Sequence, residues 1–494
     1  MHVLFQKVVA LALCALIVLP PVGEAAAQQA SNPAHPAQPP SLREYLQKPY
    51  LELFELAPKL EFSAAEIESQ REALESGKEV CVDRFENHMK QYSKQIEAAQ
   101  ADLKKKTATL TETQRKEMHC NLQNLDLLKS EAEILAKQAI PTAYENLNAK
   151  LDVLELWPGQ HTQIQQEIAS GSYHTRRWGD VKDIGFREIE PNQQEDIKRG
   201  AQAVEEMKRL GLIPPPVEDK AIQEYVRSIA ERIAKHSDLK VPLHVEVIQS
   251  REINAFALPG GYVFVERGLL EATDDESELA GVLAHEIAHD TARHSYKMMK
   301  RASIASLFYQ AAQIAAIVLT GGAAGIGMSY ALQYGFYGLG LVLDLKLLGV
   351  SRAYELEADQ LGIQYAWNAG YDPSGFIRFF DKMATKKGYV NGVSWFRTHP
   401  PFYQRMVQSQ REMLFLEAKP GAITQTAAFE RMKKDLVPVV AKAEKEEIGK
   451  PSLLITREEG CAPPNKIEYT PDQPIERLCS SLPQITQHAS PQKQ

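Results

Sequence analysis

From about Leu42 to Leu156 the chain is densely charged, with the pattern of long helices. "FSAAEIESQREALES" opens one of them, with Ser63 as N-cap and Glu66 three residues on, the two ends of a capping box. "YSKQIEAAQADLKKK" and "TETQRKEMHCNLQNLDLLKSEAEILAKQA" predict further long helices. A second unit starts near Trp178. Helices are expected over Asn192–Gly211 and Asp219–Ser237, and an alternating strand over Leu243–Ser250. Ile253–Leu270 reads as strand, Pro-Gly-Gly turn and strand running into a helix. The apolar helix that follows contains "LAHEIAHDTARHS", Leu283 to Ser295. Ala302 to Leu343 carries no charge and is divided by glycines, so two apolar helices joined by a turn are expected. Val350–Gly370 predicts a helix closed by its glycine, and a last helix covers about Thr424 to Lys445. The pattern is that of a mainly α protein with a small β-sheet, α+β in class, carrying an N-terminal helical domain.

Length and composition sharpen this outline. A chain of 494 residues, 44% apolar and 24% charged, is expected to form two or three globular domains. A net charge of −8 and the lack of a dense Lys/Arg stripe argue against a nucleic-acid partner. Residues 1–27 read as an export signal: Lys7, a short apolar core over Val8–Leu19, Pro20-Pro21, and the small residues Ala25–Ala27. The alternative is a retained anchor. Residues 28–45 form a Pro/Ala-rich linker, 46–177 the helical domain, 178–420 the second domain, and 421–494 a terminal helix with a Pro-rich tail. The helical domain is either a support for the rest or a partner-binding arm. Setting Cys14 aside, Cys81, Cys120, Cys461 and Cys479 remain. In an exported chain they favour two local disulfides, Cys81–Cys120 and Cys461–Cys479, with four free thiols as the alternative.

The chemistry centres on "HEIAH". On a helix, residues four apart share a face, so His285 and His289 can offer two imidazole nitrogens to one ion. Glu286 leans toward the remaining open position, where it can act as general base on a water. The neighbours Ala280 to Ala288 are nearly all apolar, so this helix is expected to be buried, and buried His-Glu-His needs partners. Catalytic zinc requires a third protein ligand. "SRAYELEADQ" offers Glu355 and Asp359 on one face, with Glu357 about 200° away from Glu355. Glu355 can ligate while Asp359 accepts the free N–H of a ligating histidine. The alternative for Glu355 is a surface carboxylate paired with Arg352. His294, five residues past His289, is expected to be turned away from the ligand face and to serve a structural role near the helix end.

"NAFALPGGYVFVERGLL", "ESELAGVLAHEIAHDTARH", "SRAYELEAD" and "THPP", in that order between about Gly185 and Leu416, resemble the zinc metallopeptidases of family M48. The resemblance implies a zincin-type domain of the gluzincin kind, one Zn2+ per chain on His285, His289 and Glu355, Glu286 as general base, and Asp359 as the outer carboxylate. His399 of "THPP" would then lie near the metal, either stabilising the transition state or closing the site as an extra ligand, with Arg405 contributing nearby. The likeness is nearer to the periplasmic branch of that family than to its multi-pass membrane branch.

Asn254, Ala255, Phe256 and Ala257 are expected to present a strand edge to which a peptide adds by main-chain hydrogen bonds; an ordinary core hairpin fits the same alternation. The reading is an exported zinc metalloendopeptidase, periplasmic or extracellular, acting on proteins or peptides in envelope quality control. Two alternatives stay open: an assembly factor or chaperone-like protein on the same fold, and a membrane-embedded protease. The uncharged 302–343 segment either covers the active site or contacts a membrane surface or envelope protein.

Overall fold

The computed structural model describes residues 41–106, 108–171, 177–178, 181–182, 193–209, 213–251, 253–301, 352–383, 403–416 and 418–449. From Leu42 onward the chain forms one compact unit. The export-signal segment 1–27, nearly all of the linker, the uncharged 302–343 stretch, His399 and the Cys461/Cys479 pair lie outside the described residues.

Two short helices, α1 (Leu42–Tyr45) and α2 (Tyr50–Leu56), precede the 43-residue helix α3 (Ala64–Lys106). Ser63 opens α3 as expected. Its hydroxyl accepts the Glu66 N–H at 3.2 Å, and the Glu66 carboxylate accepts the Ser63 N–H at 2.8 Å. α4 (Glu112–Ile134) packs along α3. Cys81, fully buried on α3, and Cys120 on α4 are both disulfide-bonded. One π-helical turn, Leu135–Ala139, leads into α5 (Ile140–Ser170). α5 holds α2 through Trp157, whose indole N–H donates to the Phe54 carbonyl at 3.0 Å and whose ring meets Phe54 edge-on.

A two-residue antiparallel pair, β1 (Arg177–Trp178) with β2 (Val181–Lys182), is followed by α6 (Gln194–Arg209) and α7 (Lys220–Lys235). Asp219 caps α7 by accepting the N–H groups of Ala221 and Ile222 at 2.9 and 3.1 Å. The three-stranded sheet has the order β3 (His244–Ile248), β5 (Tyr262–Glu266), β4 (Ala255–Leu258). β3 and β5 run parallel, β4 antiparallel to β5, and β4 is an edge strand. The β4–β5 turn requires glycine: Gly261 has φ +88, and a Cβ there would run into the Pro242 carbonyl.

α8 (Arg267–Ala272) leads to α9 (Glu276–Thr291), in which every residue is buried. A helix apolar on all sides must be surrounded, and α9 packs against α7, β4, α11 (Arg352–Asn368) and α12 (Ser374–Lys382). Leu279, Val282, Leu283 and Ile287 have no exposed surface, each worth about 1.5–3 kcal/mol of burial. α10 (His294–Arg301) continues from α9, and α13 (Tyr403–Phe415) and α14 (Ala427–Gly449) complete the described elements. α11 ends in a Schellman motif at Gly370, φ +90: Gly370 N–H donates to the Trp367 carbonyl and Tyr371 N–H to that of Ala366, each at 3.0 Å.

The N-terminal helices are packed against the helices that back the sheet domain, α5 on α13 and α2 on α12. Lys150 of α5, 1% exposed, donates to the Lys48 carbonyl at 2.7 Å and meets the Asp381 carboxylate of α12 at 3.3 Å. Asp381 also accepts the Tyr50 N–H. Among the described residues no helix is long and apolar enough to cross a membrane.

Candidate metal centre

One turn of α9 places His285 and His289 side by side, with their Nε2 atoms 3.0 Å apart. The Glu355 carboxylate of α11 stands 3.6 Å from His285 Nε2 and 3.5 Å from His289 Nε2. These three buried residues form a set able to hold a metal. A tetrahedral zinc with bonds of about 2.0–2.1 Å holds its ligand atoms about 3.3 Å apart, so the spacing suits that ion. The donor chemistry agrees. His285 Nδ1–H donates to Asp359 at 2.9 Å, which leaves the Nε2 lone pair directed at the two other ligands. Two imidazole Nε2 lone pairs and a carboxylate converging in a buried place repel one another unless a proton or cation lies among them.

Close helix contact makes this possible. A Cβ on Gly362 would come within 3.0 Å of the His285 Cα and N, so α11 lies directly on α9 at the ligand turn. Glu355 is 1% exposed and is not a surface carboxylate. Its charged neighbour is Arg405 of α13, whose Nη1 is 3.2 Å away, while Arg405 Nε and Nη2 each lie 2.7 Å from Asp359. Arg405 thus neutralises two buried carboxylates in a forked geometry suited to guanidinium. Phe376 of α12 stacks on the His285 ring at 5.3 Å. Arg405 was only faintly signalled by its place after "THPP"; its position beneath Asp359 is a finding of the fold.

The electrostatics follow from burial and these partners. Burial opposes a charge on His285, but the hydrogen bonds to Asp359 and Glu355 outweigh it and raise its pKa to about 9. Burial raises Glu286 to about 8; the Glu355 charge adds to this, while His285, the Ala257 N–H and Arg405 oppose it. Asp359 is buried too, yet Arg405 and His285 hold it below the ordinary carboxylate value.

His294 departs from expectation. An unbroken helix would turn it away from the ligand face, but α9 ends at Thr291 and Arg293, two residues on, has φ +60. Arg293 is held there by Asp196 of α6 through two hydrogen bonds of 2.7 Å. The left-handed residue returns the chain, and His294 Nδ1 arrives 2.9 Å from His289 Nδ1. Its Nε2 lies 3.1 Å from Glu357, the carboxylate on the other face of α11.

At the edge strand, the Asn254 carbonyl accepts the Glu266 N–H, which places the main-chain groups of Asn254 and Phe256 toward β5 and those of Ala255 and Ala257 toward the free edge. The Ala257 N–H is hydrogen-bonded to Glu286, and the Ala257 carbonyl accepts from Ser295 Oγ at 2.9 Å. The structure therefore brings together His285, His289, Glu355, Glu286, Asp359 and the 254–257 strand; His399 lies outside the described residues.

Residues 220–412, which contain all of these groups, match the family model described as Peptidase family M48. Among curated proteins the chain is similar to the Beta-barrel assembly-enhancing protease of Yersinia pestis, 29% identical over 221 residues, 44% of this chain and 44% of that protein. It is similar to the protein of the same name from Escherichia coli (strain K12), 31% identical over 176 residues, 35% of each. It is also similar to the Mitochondrial metalloendopeptidase OMA1 of Schizosaccharomyces pombe, 36% identical over 187 residues, 37% of this chain and 50% of that one. The chain spans half or less of the length of these relatives. Residues 220–412, where α7 to α13 carry the buried His285, His289 and Glu355, are thus the part of this chain that is similar to peptidase family M48.

Proposed function

We propose that the chain is an exported zinc metalloendopeptidase that hydrolyses peptide bonds in proteins of the cell envelope. The observation that carries this reading is the buried His285–His289–Glu355 set with Glu286 beside it, fastened to the edge strand through the Ala257 N–H. When bound, Zn2+ supplies Lewis acidity that polarises the scissile carbonyl and acidifies a water in the cleft. Glu286 accepts the proton of that water at its carboxylate and returns it to the leaving amine. The Ala257 N–H aims that carboxylate, and Asp359 keeps His285 in the tautomer that leaves Nε2 free. Arg405 pairs with both Asp359 and Glu355. A substrate adding as a strand to this edge would have to take the Ala257 carbonyl from Ser295, because the Ala257 N–H is held by Glu286 and Ala255 is buried.

Export is supported by the leader-like pattern of residues 1–27 and by the disulfide-bonded state of Cys81 and Cys120. The envelope setting rests on relatives named for β-barrel assembly. The same names favour a second activity, a binding role in assembly that does not need cleavage. The variant Glu286→Gln tests both. It is expected to retain zinc and lose cleavage of casein by at least a hundredfold, and chelation should abolish wild-type cleavage. Wild-type levels of cleavage by this variant would remove Glu286 as the base. Assembly activity that survives the substitution would establish the second role.

A further inference from the structure

Asp359 orients one metal-ligand histidine. The other, His289, has a partner of a different kind. Its Nδ1 faces the Nδ1 of His294 at 2.9 Å, and the Nε2 of His294 faces the Glu357 carboxylate at 3.1 Å. His294 has no exposed surface, and the Tyr354 ring stacks on it at 4.3 Å with an interplanar angle of 16°. We propose that His294 and Glu357 form a two-residue relay that positions His289 for metal binding. This inference rests on the metal-centre reading above.

The hydrogen positions follow from that reading without further assumption. A ligating His289 presents its Nε2 lone pair, so its proton must be on Nδ1. That N–H faces His294 Nδ1 at 2.9 Å and donates to it, which makes His294 Nδ1 the unprotonated acceptor. The proton of neutral His294 is then on Nε2, where it donates to Glu357. A carboxylate has no proton to give, so it fits the far end of the chain and fixes the direction of the whole relay. The arrangement holds the His289 ring in rotation and raises the basicity of its ligating nitrogen, as Asp359 does directly for His285.

Three local features build it. Arg293 in its left-handed conformation, anchored by Asp196, reverses the chain so that His294 reaches back to the turn it has just left. Tyr354, on the first turn of α11, closes one face of His294. Glu357 lies two residues past Glu355, so one helix supplies a metal ligand from one side and the relay's end from another. Glu357, which takes no part in ligation, thereby acquires a role.

The test is the zinc dissociation constant of purified full-length variants, measured by competition with a chromophoric chelator, with the visible spectrum of the cobalt-substituted protein as second readout. His294→Ala is expected to weaken zinc binding by about 10–100-fold and to alter the cobalt bands. His294→Asn should restore most of the affinity, because its amide oxygen takes the place of the accepting Nδ1. Glu357→Leu should weaken binding measurably and Glu357→Gln less, since its carbonyl still accepts the Nε2–H. A purely packing role predicts that His294→Ala and His294→Asn bind alike, and that result overturns the relay. Wild-type affinity in His294→Ala and Glu357→Leu overturns it as well. If His294→Ala does not fold, the His294→Asn, Glu357→Leu and Glu357→Gln series decides by its order. Absence of zinc binding by the wild-type protein would instead strike the metal-centre reading itself.

Discussion

His285 and Glu286 stand next to each other and both resist giving up a proton. With pKa values raised to about 9 and about 8, each is protonated at neutral pH when the protein's own groups alone set the field. A divalent ion must displace the His285 proton to gain Nε2, and its charge drives off the Glu286 proton as well. Both protons are bound to the free protein and lost on complex formation, so affinity increases with pH. Between pH 6 and 8 the logarithm of the zinc association constant is expected to rise by between one and two for each pH unit, flattening above about 9. Competition titrations at several pH values, or proton uptake by two buffers in calorimetry, would check it. An affinity independent of pH would show that the free site holds neither proton. Glu286 also links pH to stability. Its folded pKa lies above its unfolded value of 4.5, so the folded state binds the extra proton between about 4.5 and 8. In chelator-treated protein, wild type should therefore lose stability relative to Glu286→Gln as pH rises through that window, and the difference should level off above it. Melting temperatures of the two proteins across pH 5–9 measure this directly.

At the scale of elements, the close approach of α11 to α9 sets the ligand geometry. Gly362→Val places a branched side chain against the His285 backbone, which must lift α11. The expected cost is about 1–3 kcal/mol of stability, with zinc affinity falling in the same variant because Glu355 rides on α11. A variant destabilised to that extent with unchanged zinc affinity would uncouple the two. The elements themselves were largely legible in sequence. His285 and His289 four apart, Glu355 and Asp359 four apart, the Ser63 capping box and the Gly370 stop all depend on spacing within a single helix, and local spacing is what sequence displays. His294 has the structural role near the helix end that the sequence suggests, but its reach back to His289 was not legible, because helical angles do not extend past the end of α9 at Thr291. Nothing in "DTARHS" marks an arginine as left-handed; the anchor for it, Asp196, lies 97 residues away. The seating of Arg405 under Asp359 and of Lys150 against Asp381 is of the same kind: no periodicity says which distant charge a buried one will meet.

For the whole molecule, the helical layer and the layer that carries His285, His289 and Glu355 are packed as one compact unit. Paired with each other, as the sequence predicts, the disulfide-bonded Cys81 and Cys120 would close a loop of about forty residues, worth about 4 kcal/mol on chain-entropy grounds. Cys81→Ser should lower the melting temperature of the entire described unit, and reductant should do the same to wild type while leaving Cys81→Ser unchanged. Separate melting of the N-terminal helices would contradict a single cooperative unit. The bonds of Asp381 to Lys150 and to the Tyr50 N–H carry a further consequence. α12, which these groups grip from one side, stacks Phe376 on His285 from the other. A ligand that binds only the folded state stabilises everything that unfolds with it, by an amount set by its concentration over its dissociation constant. Helices that never touch the ion are thereby made to depend on it, and resistance of α3 and α4 to an added protease becomes a remote gauge of whether the centre is loaded.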